Sequence, residues 1–408
     1  MKRLVLLASL GLGGCATGFQ APAPIQQSEA TYTASFPYYV ESCALSQIKK
    51  SPAHPPDIVG GIGGHATLYL SQVCKVPGAN YPVLQLCEGA PVPGRGVGIS
   101  INAHFRNAAW VATEGRDFFY DGVLRSDEAV TLENYEATRN EARKRGVYDG
   151  VIFHDKLFED RAPGQDDETY HYDVSIGTDY GVGLARDRYC ARVPTDKSGL
   201  QRVVQYLNTV NQPYRERKQD FAWDVLRQNC VHFIHDAFSV LGLWETWPQQ
   251  NLLEAALNFP VPKNEFVDLV ETTNDLPVDD PLALYRIARA RQNLMQHGNL
   301  PTRPGAVLEA VPAHRPNEMY RTDVALIFYD EPIFGTYAGR FTKLMSSPRL
   351  ASLDANLAYF DELYRRAGAN ADTALQRAKP EERAGFEPFL EKYRSFIRAQ
   401  QARLGAMR

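Results

Sequence analysis

Two positive charges, Lys2 and Arg3, precede an apolar run from Leu4 to Leu12, and this opening governs how every later cysteine is read. The run is shorter than the roughly 18 residues that span a bilayer, so it reads as a processed export segment rather than a permanent helix. No other segment is both apolar enough and long enough to cross a membrane. Export delivers the chain to an oxidising compartment, where cysteines pair. The chain carries six: Cys15, Cys43, Cys74, Cys87, Cys190 and Cys230.

Leu12-Gly13-Gly14-Cys15 ends the apolar run with small residues directly before a cysteine, which resembles a bacterial lipoprotein signal. The resemblance implies cleavage before Cys15 and acylation of its thiol and new amino terminus. Ala16, rather than Asp, then favours the periplasmic face of the outer membrane. Residues 1–14 become a signal peptide. Residues 15–37, rich in Ala, Pro, Gln, Ser and Thr, become a flexible tether with too little apolar surface for a core. Five cysteines remain, so at least one thiol stays free or pairs with another chain. Cys43, Cys74, Cys87 and Cys190 can form two disulfides, and Cys74 with Cys87 suits adjacent strands, but three connectivities are open. Cys230 is the expected free thiol.

The 408 residues suffice for two or three domains. With 44% hydrophobic residues and 23% charged ones, the composition excludes wholesale disorder. The 44 basic side chains against 48 acidic ones, with no long basic run, argue against a nucleic-acid partner. From Tyr38 the pattern is strands and turns: His65 to Leu70 and Val97 to His104 alternate, Tyr81 to Glu88 is β-rich, and Phe118 to Tyr120 ends at Asp121-Gly122. Val151 to His154, Tyr170 to Ile176 and part of Tyr180 to Arg192 read as further strands. Helical spacing marks Ser126 to Arg145, Thr195 to Val210, and a segment from Asn229 to about Leu241. Beyond residue 248 the spacing is mainly helical: Leu252 to Asn258, Pro281 to Gln296, Asp354 to Ala367 and Glu381 to Ala402. Val324 to Tyr329 there reads as a lone strand. Two folded regions are therefore expected, 38–248 and 249–408.

Asn229 precedes Cys230, and Phe233, Ile234, Ala237, Phe238 and Leu241 follow at helical spacing, which places the thiol at a helix N-terminus. Open N–H groups and the helix dipole there favour a thiolate and can hold an oxyanion. A thiol nucleophile needs a base. His65, after Gly60-Gly61-Ile62-Gly63-Gly64 and at the start of an alternating strand, is the best-placed candidate. Asn102 and His104 share a parity that would let either orient the imidazole, with Gln85 as a weaker choice.

A Gly-His strand followed much later by Asn-Cys-x-His-Phe resembles the permuted papain-like superfamily, which includes NlpC-type peptidases and the lecithin:retinol acyltransferase group. The likeness spans roughly Gly60 to Leu243. It implies an α+β fold, with an antiparallel sheet packed on the nucleophile helix, to which the spacing beyond residue 248 adds a mainly helical C-terminal region. It also implies Cys230 as nucleophile, His65 as general base and a polar third member, with the reaction passing through a thioester on an amide or ester. The chain departs from the acyltransferase pattern at Val231, where that group has Glu, and at Val76-Pro77-Gly78, where a second histidine would stand.

The expected substrate lies in the cell envelope, a peptidoglycan peptide or an acyl lipid or lipoprotein, with membrane attachment through Cys15. No cofactor is expected. The Gly60 to Gly64 run lacks the Lys-Ser/Thr ending of a phosphate loop, and Ala66 breaks dinucleotide spacing. His232 and His235, with Cys230 or Asp236, offer a zinc alternative. The rival from another class is a non-catalytic envelope lipoprotein that binds cell wall or a partner protein.

Overall fold

A computed structural model describes residues 23–54, 64–125, 127–225, 227–247, 261–323, 328 and 336–407. Within them the chain is a mixed α+β structure. Its strands are β1 (Tyr39–Leu45), β2 (His65–Ser71), β3 (Val73–Lys75), β4 (Leu84–Leu86), β5 (Gly96–Ser100), β6 (Val111–Glu114), β7 (Arg188–Pro194) and β8 (Val307–Val311). Six of them form one sheet in the order β6-β5-β2-β1-β7-β8, with every pairing antiparallel; β3 and β4 make a separate hairpin. Cys43 stands directly opposite Cys190 across β1 and β7, and the two are bonded. Cys74 and Cys87 close the hairpin, so Cys230 is the free thiol.

The helices before residue 248 are α1 (Glu29–Ser35), α2 (Arg116–Asp121), α3 (Leu132–Lys144), α4 (Asp167–Ser175), α5 (Val182–Ala185), α6 (Lys197–Arg215) and α7 (Cys230–Ser239). Those after it are α8 (Pro262–Asn274), α9 (Pro281–Arg286), α10 (Ala288–His297), α11 (Tyr337–Met345), α12 (Pro348–Ala351), α13 (Leu353–Ala371), α14 (Ala374–Arg377) and α15 (Pro380–Ala406).

Strand alternation sorts the sheet's side chains into two layers. On one face Ala66, Leu68, Leu70, Val97 and Ile99 pack with Val203 and Leu207 of α6, Ile234 and Phe238 of α7, and Phe266 and Val270 of α8. Burying each such Val, Leu, Ile or Phe side chain contributes about 1.5–3 kcal/mol. On the other face Tyr39, Leu45 and Tyr69 meet Tyr32 of α1 and Phe119 and Tyr120 of α2. Gly98 lets α2 approach this closely, because a Cβ there would sit 2.0 Å from a ring carbon of Phe119.

The second face also buries charge. Arg192 and Arg116 reach the Glu41 carboxylate at 2.9 and 3.1 Å, and both also pair with Glu309 and Glu29. Tyr120 adds a short hydrogen bond to Glu41. Burial alone would raise the Glu41 carboxyl, but the two guanidiniums outweigh it and hold its pKa at about 2.

Several expectations are corrected. The flexible tether does not extend to residue 37: Ile25 bridges to Ala310, Tyr32 and Phe36 are buried, and Glu29 joins the charge cluster. Those aromatic and acidic side chains give residues 25–37 the contacts that its Ala, Pro and Gln content does not suggest. Residue 248 is not a packing boundary either, because β8 pairs with β7 and α8 lies on the sheet. The helices α9, α10, α13, α14 and α15 do share a core of their own. Phe118 to Tyr120 and Tyr170 to Ile176, expected as strands, lie in or run through helices α2 and α4. Asp166 caps α4 by accepting from the Thr169 N–H. Short aromatic runs do not by themselves separate the two periods. Val151 to His154 supplies only a single bridge, Phe153 to Phe105. The helix expected at Leu252 to Asn258 and the strand at Val324 to Tyr329 lie outside the described residues, apart from Phe328, as do residues 1–22 with Cys15.

Candidate functional site around Cys230

Asn229 starts α7 by the means its position implies. Its side-chain oxygen accepts from the N–H groups of Val231 at 2.9 Å and His232 at 3.2 Å, while its amide nitrogen donates to Val225 at 2.7 Å. Cys230 is therefore the first helical residue, and it is 8% exposed. The backbone N–H groups of Ala66 and Cys230 and the Arg186 guanidinium lie near enough to its sulfur to favour a thiolate, while the Val231 N–H is held by the Asn229 cap. Burial is the larger effect and pushes the thiol pKa up. The expectation that the helix N-terminus alone would favour a thiolate is corrected by this desolvation.

His65 opens β2 as expected, one residue from the amide that faces the sulfur. Its ring, however, takes the opposite face of the sheet. Ala66, Leu68 and Leu70 point toward α7, whereas His65 shares parity with Tyr69 and lies opposite Leu45, both of the second layer. His65 Nε2 lies 3.1 Å from Ser100 Oγ, and Ser100 Oγ lies 2.7 Å from an Asp179 oxygen. The Ser100 hydroxyl has two acceptors in reach, the Asp179 carboxylate and the Thr178 carbonyl at 3.0 Å; with the Nε2–H tautomer the imidazole donates to the hydroxyl and the hydroxyl to the carboxylate, forming a relay. Burial, with Arg186 and Lys263 nearby, lowers the His65 pKa to about 3 and leaves the ring neutral. Burial raises Asp179 to about 6, against the hydrogen bonds from Ser100, Tyr148 and Asn102.

The residues proposed to orient His65 are placed differently. Asn102 lies beyond the end of β5 and donates to both Asp179 oxygens at 2.9 Å, so it joins the relay at its far end. His104 does not join it. Its ring belongs with His154 and His171, where Nδ1 is buried without a hydrogen-bond partner. Gln85 sits on the β3–β4 hairpin opposite Cys74. Ser100 is the group that touches His65, and its even parity with Asn102 was the available signal.

Two further residues complete the surroundings of the thiol, and nothing in their local sequence marks them. Arg186 is buried and gives its hydrogen bonds to the carbonyls of Gly177 and Ser46 and the hydroxyl of Thr178. Lys263, at the start of α8, is fully buried. Its Nζ lies against Gly64: a Cβ built there would sit 2.3 Å from Nζ and 2.3 Å from the Leu45 carbonyl oxygen, and Gly64 has φ +81°. Burial first, and Arg186 second, lower the Lys263 pKa to about 7, while Cys230 pulls the other way.

The histidines of α7 do not form a metal site. His235 uses both ring nitrogens, Nδ1 with Glu265 at 2.9 Å and Nε2 with the Glu245 carbonyl at 2.8 Å, and its ring is stacked between Trp244 and Trp247. His232 Nδ1 lies 3.1 Å from Asn229 Oδ1. Among the described residues, the one group with ligand-like spacing joins Glu41 to the bonded sulfurs of Cys43 and Cys190, which are not thiolates. No described helix is long and apolar enough to cross a membrane.

No protein-family model, curated protein or solved structure matches this chain. Fold and site therefore stand on their own: an α+β protein with one antiparallel six-stranded sheet, two disulfides and a free thiol at a capped helix N-terminus beside two buried cations.

Proposed function

We propose that this protein is a lipid-anchored envelope enzyme that cleaves an amide or ester bond through a thioester on Cys230. Hydrolysis or transfer to an acceptor would follow. The observation that carries the reading is the thiol itself. In a chain whose other described cysteines are bonded, Cys230 alone is free, at a helix N-terminus with the backbone N–H groups of Ala66 and Cys230 near its sulfur. Those N–H groups can hold the charge of a thiolate or of a tetrahedral oxyanion. Anchoring at Cys15, on the periplasmic face of the outer membrane, would keep peptidoglycan peptides and acyl lipids or lipoproteins within reach. The permuted papain-like core belongs to this proposal and rests on the order of the Gly-His strand and the Asn-Cys helix. In it His65 is the imidazole of the Ser100–Asp179 relay.

The test is turnover of muropeptides and of phospholipid vesicles by wild type and Cys230→Ser, read as new amino groups or released fatty acid. Turnover that survives unchanged in Cys230→Ser would sink the thioester route. One observation favours a second reading, a non-catalytic lipoprotein that binds cell wall or a partner. Cys230 is nearly enclosed, and His65 bonds to Ser100 rather than to it. On that reading Cys230→Ser keeps full function in cells and neither substrate class is consumed.

A further inference from the structure

A thiol nucleophile must pass its proton to a group on its own side of the sheet. The sulfur of Cys230 and the face of β2 bearing Ala66 look toward α7 and α8, and the His65 ring stands on the other face with Ser100 and Asp179. Lys263 belongs to the same layer as Cys230. Its helix packs there through Phe266, Val267 and Val270, and its Nζ lies against Gly64, two residues before the Ala66 amide that faces the sulfur. The substitution-intolerant Gly64, with its positive φ and no room for a Cβ, is what lets the amine come so near the strand. We propose that Lys263, rather than His65, is the residue that takes the proton of Cys230 and returns it to the leaving group; the proposal rests on Cys230 being the nucleophile.

The chemistry balances with these two side chains. The Cys230 S–H gives its proton to the neutral Lys263 amine, leaving thiolate and ammonium. The thiolate forms a C–S bond as the carbonyl π pair moves onto oxygen. Collapse restores C=O and breaks the bond to the leaving nitrogen or oxygen, which takes the proton from Lys263. Water then attacks the thioester, its proton passes to Lys263, the C–S bond breaks, and the thiolate recovers the proton. A lysine serves only if it is neutral part of the time, which complete burial beside Arg186 arranges. The ionisable groups that act on Lys263 are Arg186 from the segment before β7 and Cys230 from α7, and across the sheet end Lys263 in turn weakly disfavours charge on His65. His65 has Arg186 and Lys263 as its charged neighbours and is a poor place for a further positive charge. Thiol and amine titrate as a coupled pair, so the measured profile belongs to both.

The experiment is the pH dependence, from pH 6 to 10, of iodoacetamide labelling at Cys230. It is read by peptide mass spectrometry in wild type, Lys263→Met, Lys263→Arg and His65→Ala. The expected result is labelling at least tenfold slower at pH 7.5 in Lys263→Met. Lys263→Arg, with a cation that keeps its proton, should flatten the profile below pH 8. A Lys263→Met profile equal to wild type, or one that moves only in His65→Ala, overturns the proposal. If Lys263→Met does not fold, the Lys263→Arg profile decides, and one that titrates as wild type overturns it. Failure of the nucleophile reading is separate: it appears as absence of Cys230-dependent turnover in wild type, whatever the labelling profiles show.

Discussion

The buried cations around the sheet are treated in two different ways. On the α1–α2 side Arg116 and Arg192 meet Glu41, Glu309 and Glu29, with Tyr120 closing the cluster. Near the thiol, Arg186 gives its bonds to two carbonyls and a hydroxyl, and Lys263 lies against Gly64, where the charge of a Cys230 thiolate would favour the ammonium. The first arrangement keeps its charges in a fixed state and is architecture. The second pushes the thiol pKa up and the amine pKa down, which favours the neutral form of each, and a neutral amine is the form that can accept a proton.

The largest expected effect comes from breaking the compensated cluster. Glu41→Gln should cost about 3–5 kcal/mol in urea unfolding, because both guanidiniums lose a buried counter-charge. Its pH dependence sharpens the contrast. The Glu41 pKa is lowered in the fold, so its stabilisation is present above the ordinary carboxylate range and is lost as pH falls toward about 2. Glu41→Gln should flatten that acid limb.

Asp179 should show the opposite slope. Its pKa is raised to about 6, so the folded state holds the proton more tightly, and stability falls as pH rises from about 4 through 6. Asp179→Asn should remove this fall, measured as the difference in unfolding midpoint between pH 4 and pH 7. An unchanged difference would contradict the buried placement of the carboxyl.

Lys263→Met should leave stability at pH 7 unchanged or raise it by about 1 kcal/mol, since a buried cation is replaced by an apolar chain of similar length. The sign with pH is fixed. Lys263 is lowered to about 7 in the fold, the unfolded chain binds its proton more tightly, and the wild type gains stability from about pH 7 to 10. The variant should lack that gain, which chemical denaturation at the two pH values would show. A loss of several kcal/mol at pH 7 would instead place Lys263 with the architectural cations.

The smallest effect is expected at the cap. Asn229→Ala removes the acceptor of two N–H groups and should cost about 1 kcal/mol, while altering Cys230 labelling more than thermal stability would suggest.

Local sequence carried the parts of this fold that local physics decides. Asn229 followed by Phe233, Ile234, Ala237 and Phe238 marks the start of α7, and the alternation from His65 to Leu70 marks β2. The hairpin disulfide Cys74–Cys87 was suggested by the adjacent strands that carry it, whereas Cys43–Cys190 depends on the pairing of β1 with β7. Parity placed Asn102 on the His65 side, but the strand ends at Ser100, which became the contact. Parity along β2 also implies that His65 and Ala66 face opposite ways, and only the packing of α7 shows which of the two faces the thiol. Lys263, Arg186 and Asp179 left no local trace because burial is a tertiary property. For the same reason Tyr32 and Phe36 fasten a segment whose composition suggested a tether.

The most direct test of the proposed thioester chemistry is acetylation by 4-nitrophenyl acetate, followed by acid quench and peptide mass spectrometry. The account predicts an acetyl thioester on Cys230 that forms before surface lysines are modified and decays by hydrolysis. Lysines acetylated while Cys230 stays unmodified would contradict it and leave the thiol a buried structural residue.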